Sequence, residues 1–475
     1  MSEALWQWQA LVAAAHGRAE GTPATPIAGF SIDSRSLAAG EVFVALKNVR
    51  DGHAFVAAAL AAGAAAAVVG NDYCASGPAS GGAGALLRVE DTLRALEDIG
   101  RAARRRSRAG IVAVTGSVGK TSTKEMLRLC LRRIGATHAA EKSFNNKWGV
   151  PLTLARMPAD SRYGVLEIGM NHAGEIAPLA RMVNPHVAVV TAVEAVHLAH
   201  FADVADIARA KAEIFAGLVP GGTAVLPYDS PHFGVLCARA ASSGARIVSF
   251  GYRQGADFRA AEVATGQGGS SVVAVNDARR LAYRLGAPGE HYVSNSLAVL
   301  ATLDALGVDV IGCLPSLAEA RAPVGRGART LLAALHGEML LIDESYNASP
   351  ASVRAALAAM ATTPRAAFPR RVAVLGDMLE LGEAAAELHC GLRQALDAAG
   401  VDLVLACGPM MHLLYKGLAA AQQGGWAPSA DALQPALIAS LRPGDVVMVK
   451  GSLGMRMTSL VEAMLRQYGP GRPGG

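Results

Sequence analysis

The hydrophobic pattern changes period at residue 116. Ile111 to Thr115 is an unbroken apolar, β-branched run, the signature of a strand covered on both faces. From Lys120 onward, Met126, Leu127, Cys130, Leu131 and Ile134 recur on one face of a helix. Between the two lies Gly116-Ser117-Val118-Gly119, a turn bracketed by glycines. Short strand-like runs follow at 163–168, 186–193, 223–226 and 246–250, with helical stretches separating several of them. That alternation predicts a mostly parallel sheet with helices on both faces. A second series at 339–343, 371–377, 401–408 and 445–452 ends each time in glycine or a polar turn. It predicts another open α/β sheet, Rossmann-like but without Gly-x-Gly-x-x-Gly. Upstream, 29–35 and 40–47 read as two short strands around a turn, followed by an alanine-rich helix.

The pattern divides the chain into three units. These are a small N-terminal α/β unit (1–107), a central unit built on the glycine turn (108–322) and a C-terminal α/β unit (323–475). Arg101-Ala-Ala-Arg-Arg-Arg-Ser-Arg108 is read as the linker at the first boundary. Ala322-Pro-Val-Gly-Arg326-Gly327 is read as a hinge carrying one arginine at the second.

Composition narrows the class. With 475 residues, 52% hydrophobic and 17% charged, the chain forms a core rather than remaining unfolded. A net charge of +5 is small for this length and points to neither a nucleic acid nor a membrane surface. The six cysteines, at 74, 130, 237, 313, 390 and 407, include no Cys-x-x-Cys pair, so a metal knuckle or redox pair is not expected. The start is not a signal peptide, and no run of about 18 apolar residues offers a membrane span. A reducing cytoplasm and no membrane insertion are therefore expected.

Strand, glycine turn, Lys-Thr and helix form the layout of a phosphate-binding loop. Backbone N–H groups of Thr115, Gly116, Ser117, Val118 and Gly119 would turn toward phosphate oxygens, aided by the helix N-terminus. Lys120 would reach the terminal phosphates, and the Thr121 hydroxyl would bind Mg²⁺. The loop is a shortened variant, because Val114 stands where the longer pattern has its first glycine. In a parallel sheet ligands collect at the C-terminal strand ends, which selects Glu167 and His197 as further metal-site candidates. Asp33-Ser34-Arg35 sets a hydroxyl beside a guanidinium, a start for holding phosphate, although a plain polar turn would read the same way.

These stretches together resemble the Mur ligases, ATP-dependent amide-forming enzymes of peptidoglycan synthesis. Three blocks carry the resemblance: Asp33-Ser-Arg with Gly40-Glu-Val-Phe-Val and Asp51-Gly-His; Thr115-Gly-Ser-Val-Gly-Lys-Thr; and Gly325-Arg326 with Asp343-Glu-Ser-Tyr-Asn-Ala-Ser-Pro350. Ser143-Phe-Asn-Asn-Lys-Trp-Gly, Glu167-Ile-Gly-Met-Asn-His and Leu375-Gly-Asp-Met-Leu-Glu-Leu-Gly point to the branch that joins D-Ala-D-Ala to UDP-N-acetylmuramoyl-tripeptide. The Asp-Asn-Pro-Arg of a sister branch is missing.

The resemblance implies ligation through an acyl phosphate, with ADP and phosphate released, by a monomeric enzyme. It implies ATP contacts at the loop through Ser122 and at Asn295, Arg326, Asp343, Tyr346 and Asn347. The UDP-linked substrate would meet Asp33, Ser34, Arg35, Asn145 and Asn146. Two Mg²⁺ ions are implied, held by Thr121, Glu167, His197 and Lys211, with Lys211 carbamylated. Lys120, Glu167, His197 and Lys211 form the implied catalytic set. Three departures stand out: Tyr292 where the family carries an asparagine one residue after His291, Glu344 where it has aspartate, and Ser349 where it has asparagine. A folylpolyglutamate-type ligase shares the loop and the chemistry, and a phosphate-loop NTPase switch shares the loop alone.

Overall fold

The computed structural model describes residues 4–469 except 49, 75–83, 142, 197, 267, 278 and 335. Among the described residues the chain builds three α/β sheets in succession. The first holds β1 (Arg18–Glu20), β2 (Gly29–Ser31), β3 (Glu41–Val44), β4 (Ala66–Gly70) and β5 (Ala85–Val89), in the order β1-β5-β4-β3-β2. It is parallel apart from β1.

The second sheet holds β6 (Gly110–Thr115), β7 (Thr137–Ala139), β8 (Tyr163–Glu167), β9 (Val187–Val190), β10 (Thr223–Pro227), β11 (Arg246–Gly251), β12 (Phe258–Gly266), β13 (Gly269–Asn276) and β14 (Arg279–Leu285). Its order is β14-β13-β12-β11-β10-β9-β6-β8-β7. Parallel pairing runs from β7 to β12, and β12, β13 and β14 close the far edge as an antiparallel meander that the strand pattern above did not include.

The third sheet holds β15 (Ala328–Ala334), β16 (Gly337–Glu344), β17 (Arg370–Gly376), β18 (Leu403–Cys407), β19 (Gln423–Ala427) and β20 (Asp445–Lys450), in the order β15-β16-β20-β17-β18-β19. Only β15 runs antiparallel to its neighbour.

Strand β6 lies between β9 and β8, and its residues alternate between two cores. Ile111 and Ala113 face one hydrophobic cluster, while Val112 and Val114 face another. Both faces are covered, which is why the run is apolar without interruption. The first of those clusters extends into the N-terminal unit, where Trp6, Phe30, Leu87, Leu96 and Ile99 join Val150, Leu154 and Ile176 of the central one.

The basic run is not a linker. Through Arg106 it forms the last turns of the helix Thr92–Arg106, where Arg101 pairs with Glu97 and Asp98 while Arg104 and Arg106 bond carbonyls of neighbouring elements. Arg104 donates to Val183 O at 2.8 Å and Asn184 O at 2.9 Å. Arg106 donates to Leu5 O and Met157 O while its guanidinium covers the Trp6 ring. Trp6 in turn donates its indole N–H to Ala155 O at 2.9 Å. A side chain at Gly100 would meet Pro151 Cα at 3.1 Å, so that helix and Gly149–Ala155 cross in close contact. The apolar stretch 56–69 also divides: Val56–Ala61 is helix, and β4 begins at Ala66. No helix among the described residues is long and apolar enough to cross a membrane. All six cysteines are free.

Candidate active site

The glycine turn opens the helix Lys120–Arg132 at the C-terminal end of β6, as the pattern predicted. Gly119 is its N-cap at φ 85°, a left-handed conformation that favours glycine. A Cβ there would stand 2.5 Å from Asn295 Oδ1. Gly119→Ala is therefore expected to displace the loop or Asn295 and to weaken ATP binding at least ~10-fold, measured by calorimetry, with a smaller loss of melting temperature.

The turn is stitched to the segment after β9. Ser117 Oγ donates to Glu194 O at 3.0 Å and accepts from Glu194 N at 2.9 Å. Thr191 Oγ1 donates to Val118 O at 2.5 Å. Lys120 folds its ammonium back onto Gly116 O at 2.5 Å. Burial pushes its pKa down to about 8, with Glu167 opposing the shift and Arg326 adding to it. The buried Thr115 Oγ1 has no partner. Ser122, one residue past the Lys-Thr pair, lines the same cleft.

Glu167 ends β8 and is 1% exposed. It accepts from Thr121 Oγ1 at 2.9 Å and from Asn145 Nδ2 at 2.7 Å. Ser143 Oγ sits 3.3 Å from Thr121 Oγ1 and accepts from Arg326 Nη2 at 3.4 Å. The structure thus brings Lys120, Thr121, Glu167, Asn145 and Arg326 together, with Ser143 as the hydroxyl that links the central unit to the hinge. Lys211 closes the helix Val204–Lys211 and is 2% exposed. Burial, reinforced by the charge of Lys120, holds its amine well below the usual lysine range. No carboxylate among the described residues lies within ion-pair distance of it. His197 lies outside the described residues. No three His, Cys, Asp or Glu side chains among the described residues converge as a metal cage.

The C-terminal unit forms the facing wall of a cleft of about 600 Å³. Arg326 lies 4.1 Å from the centre of the Tyr346 ring, and Tyr292 donates to Arg326 O at 2.7 Å. Asp343 turns inward: its carboxylate accepts from Gly325 N, Ser345 N and Ser345 Oγ, and so braces the hinge from behind. Asn347 lines the cleft, and its carbonyl accepts from Lys450. Asn295 also lines it, with a buried Nδ2 that has no partner.

Lys450 went unselected in the sequence. It is 2% exposed at the end of β20, paired with Glu344 Oε2 at 3.1 Å, on the cleft wall. A lysine closing the all-apolar run Val446–Val449 was the available signal. Ser143 and Glu194 carried no signal of spacing.

The remaining candidates are separate from this cluster. Arg35 binds Asp33 through both guanidinium arms, Nε to Oδ1 at 2.9 Å and Nη2 to Oδ2 at 2.6 Å, just beyond β2 of the first sheet. Ser34 stands between them, half-buried. Asn146 accepts from Trp148 N and Gly149 N, which starts the helix Gly149–Ala155.

A glycine loop at the centre of a parallel sheet, facing a second α/β wall across a cleft, places the chain among nucleotide-dependent phosphate-loop enzymes. Residues 114–303 match the Mur ligase middle domain, and 329–453 match the Mur ligase, glutamate ligase domain. The chain belongs to the Mur ligase family. It is 32% identical over 434 residues to UDP-N-acetylmuramoyl-tripeptide–D-alanyl-D-alanine ligase of Escherichia coli K12, across 91% of this chain and 92% of that one. Its fold is similar to that of MurF from Acinetobacter baumannii, with a TM-score of 0.81, 30% identity, and coverage of 97% of this chain and 99% of that one. It is also similar to MurF ligase from Thermotoga maritima in complex with ADP, with a TM-score of 0.74, 26% identity, and coverage of 93% and 98%.

Proposed function

We propose that the chain is the ATP-dependent ligase that adds D-Ala-D-Ala to UDP-N-acetylmuramoyl-tripeptide in peptidoglycan precursor synthesis. The observation that carries this reading is the meeting at Ser143 of Thr121, from the phosphate loop, and Arg326, from the hinge. Groups from two units then address one phosphate chain, in a chain about a third identical to a ligase of that name.

A carboxylate and an amine do not condense in water without activation. Phosphoryl transfer from ATP converts the tripeptide carboxylate to an acyl phosphate; the dipeptide amine attacks it, and phosphate leaves. The protein's part is positioning and charge neutralisation. Lys120 would meet the transferred phosphate, and the Asn295 amide, whose Nδ2 has no partner among the described residues, would meet the nucleoside. The Thr121 hydroxyl and Glu167 carboxylate are hard oxygen donors of the kind Mg²⁺ selects. Bound Mg²⁺ would supply charge neutralisation on the phosphates, and a second ion would use Glu167, His197 and a carbamate on Lys211. Lys211 suits that modification because its buried amine is held toward the neutral form.

Residues 1–107, through Asp33, Ser34 and Arg35, take the UDP end of the substrate. Residues 108–322 take ATP, and 323–475 close over it and receive the dipeptide. A monomer working in the cytoplasm, where ATP and a nucleotide-linked substrate coexist, completes the reading.

The test is phosphate release from ATP and UDP-N-acetylmuramoyl-tripeptide with different acceptors. D-Ala-D-Ala is expected to support release, and single amino acids are not. Efficient use of L-glutamate would favour a folylpolyglutamate-type ligase, and release without any acceptor would favour a hydrolytic switch.

A further inference from the structure

Among the described residues of the central unit, Lys124 is the cation with the least exposure, at 0%. It lies one helical turn after Thr121, on the same side of the helix Lys120–Arg132. Its ammonium donates to Ala140 O at 2.5 Å and pairs with Glu125 Oε1 at 2.8 Å. Glu125 has a second partner, Arg128, whose Nε reaches Oε2 at 2.7 Å. Glu125 thus keeps a second cation if Lys124 is lost, whereas the bond to Ala140 O comes from Lys124.

Ala140 precedes the residues that meet the first turn of the phosphate-loop helix at Thr121. Three residues on, Ser143 Oγ meets Thr121 and Arg326. Two further on, Asn145 donates to Glu167 and accepts from Gly169 N at 2.7 Å. The segment is thus held at 143 and 145 by the groups it serves, and at 140 by a lysine on the phosphate-loop helix itself. A buried ammonium is a costly way to fill space, and an apolar side chain of the same length would cost less. What methionine cannot supply is the directional bond to a carbonyl.

We infer that Lys124 is a positioning residue, which fixes Ser143 and Asn145 against Thr121 and Glu167 so that the hydroxyl and carboxylate stand ready for a metal–phosphate group. The inference rests on the ligase reading, but its main test does not require ligation.

Lys124→Met removes the bond and keeps the volume. Binding of ADP to the full chain is measured by calorimetry across Mg²⁺ concentrations, beside melting temperature and steady-state kinetics. Loss of an outer partner of a metal site typically costs about 10–100-fold in metal affinity or activity. The expected result is a Mg²⁺ requirement for ADP binding raised at least ~10-fold and kcat lowered by a similar factor. The KM for the UDP-linked substrate and the melting temperature should stay near wild type. Glu125→Gln, which leaves the carbonyl bond in place, should behave as wild type.

The inference is overturned if Lys124→Met binds Mg²⁺–ADP normally, if it unfolds at the assay temperature, or if Glu125→Gln lowers kcat as far. Wild-type protein inactive with D-Ala-D-Ala would overturn the ligase reading alone, because the Mg²⁺–ADP comparison stands without it.

Discussion

Lys120→Ala is expected to yield a folded protein that does not ligate. The side chain is half-buried, and its bonds reach only carbonyls of its own loop, at Gly116 and Ser117. Those bonds hold the ammonium at the turn rather than holding the turn together, so melting temperature should change little. Catalysis should change greatly. Removing one preorganised electrostatic stabiliser costs on the order of 10²–10³ in rate, and kcat/KM for ATP should fall at least that far.

The pH dependence gives an independent check. Burial brings the free amine's pKa down to about 8. Above that value the free protein loses the charge that phosphate binds, while bound ATP draws the pKa back up. In wild type, kcat/KM for ATP should therefore fall as pH rises through about 8, and kcat at saturating ATP should hold to higher pH. In Lys120→Ala that fall should be missing. Near-normal turnover of the variant, or a wild-type kcat/KM that is flat through this range, would show that Lys120 does not carry the phosphate.

Lys211→Arg should be nearly as damaging, for a different reason. An amine attacks CO₂ only when unprotonated, forming an N–C bond and releasing a proton, and the product is an anionic oxygen donor. Burial and the charge of Lys120 keep the Lys211 amine toward the reactive neutral form. Arginine stays protonated and, on the proposed reading, would put a permanent cation in place of the anionic carbamate. A loss of activity of about 10³-fold is expected, with Mg²⁺–ADP binding weakened as well. Full activity of Lys211→Arg would remove the carbamate from the site.

The sequence exposed those parts of the molecule where one pattern permits one structure. The β6 run, the glycine turn and the helix after it were legible, because a change of hydrophobic period and paired glycines leave few alternatives. The antiparallel edge was passed over despite a signal at β14, where Leu281, Tyr283 and Leu285 are buried and the residues between them exposed. Alanine hid the boundary near Gly63, since it serves both helical and strand periods. The arginines of 101–108 looked solvent-seeking. The partial burial of Arg104 and Arg106 depends on carbonyls at Leu5, Met157, Val183 and Asn184, which no local pattern foretells. Asp343 shows the same limit at the site, because its bonds to Gly325 N and Ser345 N, which brace the hinge, leave no trace in the local pattern.

The arrangement of hydrophobic cores decides how many parts of this molecule can travel. One cluster runs unbroken from Trp6 and Phe30 to Ile176 and Leu226, so the first two sheets share an interior. The third sheet is packed by two clusters drawn wholly from residues beyond 330. Among the described residues the three sheets therefore pack as two bodies, joined in the chain by the short stretch around Gly325–Gly327. A compound wedged between Arg326 and the phosphate loop would hold those two bodies apart by occupying the place proposed for ATP.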